Sequence, residues 1–145
     1  MENRMELQFD ALPQNESFAR VVIAAFAVQL CPTLPEMADI KTAVSEAVTN
    51  AIVHAYPDAI GKVAVRARVC PGNVLELTVK DHGRGIADVE KAREPLFTTG
   101  GEERSGMGFT IMESFMDKLT VRSVPGRGTT VLMRKKLAPR MKTGK

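Results

Sequence analysis

Four short clusters hold the residue types able to do chemistry. In the first, Glu46, Asn50 and His54 recur at every fourth position, which puts them on one stripe of a helix. Two readings of that stripe stand open. It faces water as a solvated surface, or Asn50 offers its amide oxygen to a hard cation while Glu46, one turn earlier, works as a base. The second cluster is Asp81-His82-Gly83-Arg84-Gly85. An aspartate followed by two spaced glycines makes a tight turn that brings backbone close to a ligand. Its carboxylate accepts hydrogen bonds only, which suits an exocyclic amino group. The plain alternative is a strand-exit turn. The third, Ser105-Gly106-Met107-Gly108-Phe109, opens a helix, where free N–H groups and the dipole favour phosphate. Its plain alternative is a flexible loop-to-helix junction. The fourth, Gly126-Arg127-Gly128-Thr129-Thr130, reads as a hairpin turn.

Each Gly-x-Gly is weak by itself, and none completes a commoner nucleotide template. A dinucleotide fingerprint needs glycine three residues after the second glycine, where this chain has Asp88, Ile111 and Val131. Gly101 and Gly106 have the spacing of a P-loop, but Met107 stands where lysine is required.

These clusters must be positioned by regular elements, and hydrophobic period shows which. Met5 to Phe9 alternates as a short strand. Asn15 or Ser17 caps a helix to about Leu30, with Phe18, Val21, Val22, Ala25 and Phe26 on its apolar face. Cys31-Pro32-Thr33 interrupts, and a second helix runs from Pro35 to Ala55 with Ile40, Val44, Ala47, Val48, Ala51, Ile52 and Ala55 as core. The period then drops to two. Lys62 to Val69 and Val74 to Lys80 form a hairpin about Pro71-Gly72-Asn73. Ala87 to Arg93 reads as a short helix, Glu94 to Ser105 as a mobile loop, and Gly106 to Met116 as a further helix. Leu119 to Val124 and Thr129 to Met133 are the closing strands. The expected class is α+β, a two-layer sandwich with helices on one face of a mainly antiparallel sheet.

Composition sets the remaining bounds. With 145 residues, 44% hydrophobic and 26% charged, the chain has the make-up of one folded domain, expected over residues 1–136. Residues 137–145 are expected to be a disordered basic tail. Six cations fall between Arg134 and Lys145; taking them from the net charge of +3 leaves the body at −3. With 5% aromatic residues and no basic stripe visible in the body, nucleic-acid binding is not expected. No apolar run reaches the ~18 residues of a membrane span and no leader is seen, so a cytoplasmic location is expected. Cys31 and Cys70 lack partners at metal-ligand spacing and read as free, buried or half-buried thiols.

Taken in order, the four clusters are far more specific than any one. Glu-x-x-x-Asn, Asp-x-Gly-x-Gly, a polar loop into Gly-x-Gly, and Gly-x-Gly-Thr-Thr together resemble the ATP-binding (GHKL, or Bergerat) fold shared by gyrase, Hsp90, histidine kinases and MutL. Closer still, residues 44–52, Pro95-Leu96-Phe97-Thr98-Thr99, residues 104–109 and Asn15-Glu16-Ser17-Phe18-Ala19-Arg20 resemble the sporulation anti-sigma F factors, which are small serine kinases. The resemblance implies Asn50 as the holder of Mg²⁺ on the phosphates of ATP or ADP, and Asp81, supported by Thr130, as the acceptor from adenine. It places Gly83 and Gly85 at the base, and Thr98, Thr99, Gly106 and Gly108 at the nucleotide, the last two at its phosphates. Arg104 would reach the γ-phosphate, Glu46 would deprotonate a serine hydroxyl, and residues 94–105 would be a lid. It also implies a homodimer that binds an RNA polymerase sigma factor, with Arg20 at a partner contact, and that phosphorylates a serine of an anti-anti-sigma protein. The alternatives are the ATPase module of a histidine kinase-type system and a nucleotide-gated sigma-binding module without catalysis.

Overall fold

The computed structural model describes residues 2–94 and 108–138. Five strands follow the alternating segments: β1 (Asn3–Asp10), β2 (Lys62–Cys70), β3 (Val74–Asp81), β4 (Lys118–Val124) and β5 (Gly128–Lys136). They form one sheet in the order β1-β2-β3-β5-β4, every neighbouring pair antiparallel. Val63, Val65, Leu75, Leu77 and Met133 alternate onto one face and are fully buried. That face carries the helices α1 (Gln14–Ala27), α2 (Leu34–Val53), α3 (Val89–Ala92) and α4 (Gly108–Phe115). Helix α2 lies between α1 and α4 and packs on both. This is the expected two-layer α+β sandwich.

The start of α2 is more tightly specified than the sequence reading allowed. Thr33 accepts from the Glu36 N–H at 3.1 Å, and the Glu36 carboxylate accepts from the Thr33 N–H at 2.9 Å, a reciprocal capping box with Pro35 in the first turn. Its core face is as expected: Ile40, Val44 and Val48 are inaccessible to solvent, with Ala43 between them.

Helix α1 departs from expectation in two ways. It begins after Pro13 with no side-chain cap, and Asn15 donates instead to the Asp10 carbonyl at 2.8 Å. Its buried residues are Ala19, Ile23 and Ala27, whereas Phe18 is 50% and Val21 63% exposed. The helix is apolar nearly all round, so period alone cannot choose a face. Packing against α2 and the sheet buries the Ala19, Ile23 and Ala27 stripe in the core, and that packing decides it.

The C-terminal strand runs past the expected boundary. Arg134, Lys135 and Lys136 belong to β5, and Leu137 is fully buried. Asn73 donates to the carbonyls of Leu137 and Ala138, and the Ala138 N–H donates to Glu36 at 3.0 Å. The expected tail therefore begins no earlier than residue 139, and residues 139–145 lie outside the described ones. Both cysteines are free, but Cys31 is exposed rather than buried.

Candidate active site

The C-terminal half of α2, the end of β3 with the loop after it, the first residues of α4 and the first half of β5 line a cleft of about 370 Å³. Asn50 and His54 enter it from α2, Asp81 from β3, Thr129 from β5, and Gly108 and Phe109 from α4. A cleft of this size, mostly apolar with a few polar groups, suits a small-molecule ligand of nucleotide size.

Asp81 is 6% exposed, one of two buried polar or charged residues among those described. Its Oδ1 accepts from the Gly83 N–H at 2.9 Å and from the Thr129 N–H at 3.3 Å. Both backbone donors use the same oxygen, which leaves Oδ2 for the cleft. Burial pushes the carboxyl above the usual aspartate range, and the two N–H donors, together with His82, oppose that rise. An acceptor so fixed is ready for a donor that the ligand brings.

The register corrects one expectation. Asp81 pairs with Thr129, and Thr130 pairs with Lys80 and Arg122. Because strand residues alternate between faces, Thr129 turns to the cleft, where it is buried, and Thr130 turns to the opposite face. Val131 and Met133, both apolar, share the parity of Thr129, which is the signal the sequence offered.

The loop that carries Asp81 is held from two sides. On one, the Arg84 N–H donates to the Ala55 carbonyl at 2.9 Å. A methyl on Gly83 would overlap the carbonyl oxygen and Cβ of Ala55, so the turn just past α2 permits only glycine there. Tyr56, which the sequence reading did not single out, accepts from the His82 N–H and donates to the Lys62 carbonyl, both at 2.7 Å. On the other side, Ser123 accepts from the Ile86 N–H at 2.7 Å and the Gly126 N–H donates to the Arg84 carbonyl at 2.8 Å. Gly85 has φ +75°, and a side chain on it would strike Val124.

Glu46 stands one turn before Asn50 on α2, half-exposed and outside the residues that line the cleft. Among the described residues no group of three His, Cys, Asp or Glu could hold a metal ion. Asn50 supplies one hard amide oxygen. That donor set fits Mg²⁺ only as an ion that arrives with phosphate oxygens and water as its other ligands.

A family model described as the histidine kinase-like ATPase domain matches residues 9–135. The chain is 60% identical over 134 residues to the anti-sigma F factor of Caldanaerobacter subterraneus subsp. tengcongensis, covering 92% of this chain and 93% of that one. It is 59% identical over 141 residues to the anti-sigma F factor of Halalkalibacterium halodurans, with 94% of each covered. This chain belongs to the anti-sigma F factor family of histidine kinase-like ATPase domains.

Solved structures agree on the fold of this anti-sigma F factor-like domain. The RsbU and RsbW domains of a Mycobacterium tuberculosis protein superpose with a TM-score of 0.70 at 19% identity, covering 97% of this chain and 35% of that one. A blue-light activated histidine kinase of Erythrobacter litoralis gives 0.59 at 31% identity, covering 73% of this chain and 32% of that one.

Of the residues expected at the site of such a domain, Asn50, Asp81, Gly85 and Gly108 line the cleft, and Gly83 sits in its Asp81 loop. Thr98, Thr99, Arg104 and Gly106 lie outside the described residues. Arg20 is remote from the cleft, half-exposed on α1. It pairs with Glu16 at 3.6 Å and donates to Ser17 at 3.1 Å, and Glu16 in turn accepts from Ser45 of α2. Among the described residues no helix is long and apolar enough to cross a membrane.

Proposed function

We propose that this chain is an ATP-dependent protein serine kinase that also sequesters a sigma factor. The observation that carries the reading is the meeting in one cleft of the Asn50 amide and the buried Asp81 carboxylate, with Glu46 one turn along the same helix. In this reading Asp81 Oδ2 accepts from the adenine amino group, and Gly83 and Gly85 let backbone approach the base. Asn50 holds the Mg²⁺ of Mg-ATP, which when bound neutralises charge on the phosphates. Thr98 and Thr99 also belong to the nucleotide site, Gly106 and Gly108 lie at the phosphates, and Arg104 takes the γ-phosphate oxygens. The 94–105 segment closes as a lid.

The incoming serine oxygen bonds to the γ-phosphorus as its proton passes to the Glu46 carboxylate. The bond from phosphorus to the bridging oxygen breaks with its electron pair going to ADP. Catalysis of this kind is mainly positioning and charge neutralisation, so the Asp81 loop, fixed from two sides, fits the task. The partners are a sigma factor and an anti-anti-sigma protein bearing the serine, and the working form is a homodimer in the cytoplasm. Support for protein contacts comes from α1, which exposes Phe18 and Val21 near Arg20, with Val28 exposed just past its end.

The test is Glu46→Ala with labelled ATP, sigma factor and the anti-anti-sigma protein. ATP and sigma binding are expected to persist while transfer falls at least ~100-fold, the lower end for loss of a general base. Transfer at the wild-type rate would sink the assignment. Label stable to acid identifies phosphoserine; acid-labile, alkali-stable label would make the chain a histidine kinase-type module instead.

A further inference from the structure

The even-numbered strand residues point away from the helices, and the surface they form is strongly cationic. Nine Lys or Arg and three Asp or Glu occupy those outward positions, an excess of six positive charges. The other described residues hold seven Lys or Arg and twelve Asp or Glu, an excess of five negative charges. The net charge of +3 thus hides a cationic sheet face on an otherwise acidic body, a division the composition does not reveal.

Two rungs across this surface differ in one respect. In the first, the register aligns Arg68, Glu76 and Arg134, and Glu76 bridges the two guanidinium groups at 3.0 and 2.7 Å. In the second, four residues along, it aligns Lys80, Thr130 and Arg122. Strands lie ~4.8 Å apart, so these two cations start about 10 Å from each other with the threonine midway, and their long side chains can converge above it. Among the described residues neither makes an ion pair, nor does Lys118 on the adjacent edge. The outward acids all lie on β1 and β3, so β5 and β4 carry none there.

We propose that the β3–β5–β4 part of this open face, centred on Thr130, docks an acidic segment of a partner protein. An Asp or Glu of the partner takes over Thr130 the place that Glu76 takes between Arg68 and Arg134. The Thr130 hydroxyl donates to it, and Lys80 and Arg122 close on its oxygens. Half-buried Leu132, one rung away between Thr78 and Thr120, adds a small apolar contact. A protein fits better than a polyanion. No aromatic side chain stands on this face for base stacking, and Glu76, Glu6 and Asp10 interrupt the cations that a phosphate backbone would follow. The docking face shares nothing with the cleft and stands apart from the kinase reading.

The experiment titrates the full ¹⁵N-labelled chain with a glutamate-rich peptide at physiological salt and follows amide shifts. Shifts centred on β3, β5 and β4 are expected, with affinity falling about tenfold or more in Lys118→Glu/Arg122→Glu. Arg122→Lys should retain most of the affinity, and nucleotide binding should be unchanged in all variants. The proposal fails if the peptide shifts no amides there or if the double reversal binds it as well as wild type. It also fails if a DNA duplex or phosphatidylserine vesicles bind this face more tightly than the peptide.

Discussion

Replacing Asp81 by Asn separates stability from recognition at a single atom. The Asn side chain keeps an Oδ1 that can accept from Gly83 and Thr129, so the loop has no reason to move. What changes is the other terminal atom, which turns from acceptor oxygen into donor NH₂ and, in the proposed reading, faces the adenine amino group. The loss is one charge-assisted hydrogen bond, about 1.5–3 kcal/mol, plus about 1–2 kcal/mol for leaving opposed buried donors unpaired. The sum, about 2.5–5 kcal/mol, weakens ATP binding by roughly two to four orders of magnitude. Stability should move the other way. Asp81 has its folded-state carboxyl pKa raised by burial. Between the unfolded value and that raised value the folded state binds more protons, so stability falls as pH rises through the window and stays reduced above it. The substituted amide never ionises, so Asp81→Asn should melt at or above the wild-type temperature at pH 7, with its advantage shrinking as pH falls through the raised folded value and gone below ~4. Calorimetric titration with ATP and thermal melts from pH 3 to 8 read both. Unchanged ATP affinity refutes the acceptor role, and a variant that melts far below wild type at pH 7 refutes the account of the buried charge.

Three further outcomes follow from contacts nearby and at the far end of α2. Gly83→Ala forces a methyl against the Ala55 carbonyl, so the loop must shift; ATP affinity should drop at least ~10-fold with a loss of about 1–3 kcal/mol, read by denaturant melts. Tyr56→Phe removes two hydrogen bonds and should cost about 1–3 kcal/mol, or a few degrees in melting temperature, with weaker ATP binding; an unaltered melt and affinity would show that the hydroxyl positions nothing. Glu36 has its carboxyl held below the usual range, first by the Ala138 N–H and then by Thr33. That contribution is present above ~4.5 and lost as pH falls through the folded value, so Glu36→Gln should lower stability at pH 7 and reduce the wild type's acid sensitivity, measured by melts at pH 7 and pH 3.

Much of this architecture was legible because the hydrophobic period changes from 3.6 to 2 at Pro57, and because Lys62–Cys70 and Val74–Asp81 alternate without a break. The α2 core face was legible for the same reason, and with it the stripe that holds Glu46 and Asn50. The face of α1 was not, since a helix apolar on most sides is resolved only by what it packs against. Thr33-x-x-Glu36 was open to reading as a capping box, but the preceding Cys-Pro reads first as a break. Thr129 was recoverable by counting back in twos from Val131. Tyr56 was not, because its partner His82 is 26 residues away and only the folded chain brings them together. The cationic sheet face is hidden likewise, since its residues come from five separate strands.

One feature of the sheet bears on how the chain comes off the ribosome. β5 follows the other four strands in sequence, yet it sits inside the sheet between β3 and β4. Until residue 136 has left the exit tunnel, β3 has an open edge and β4 has no strand to pair with. A nascent chain halted before that point can form the β1–β2–β3 meander and the α1–α2 pair, but it leaves a row of backbone donors and acceptors exposed to neighbouring polysome products. Completion of the domain is therefore a late, abrupt event in synthesis, and the interval before it is when a holdase would find most to bind.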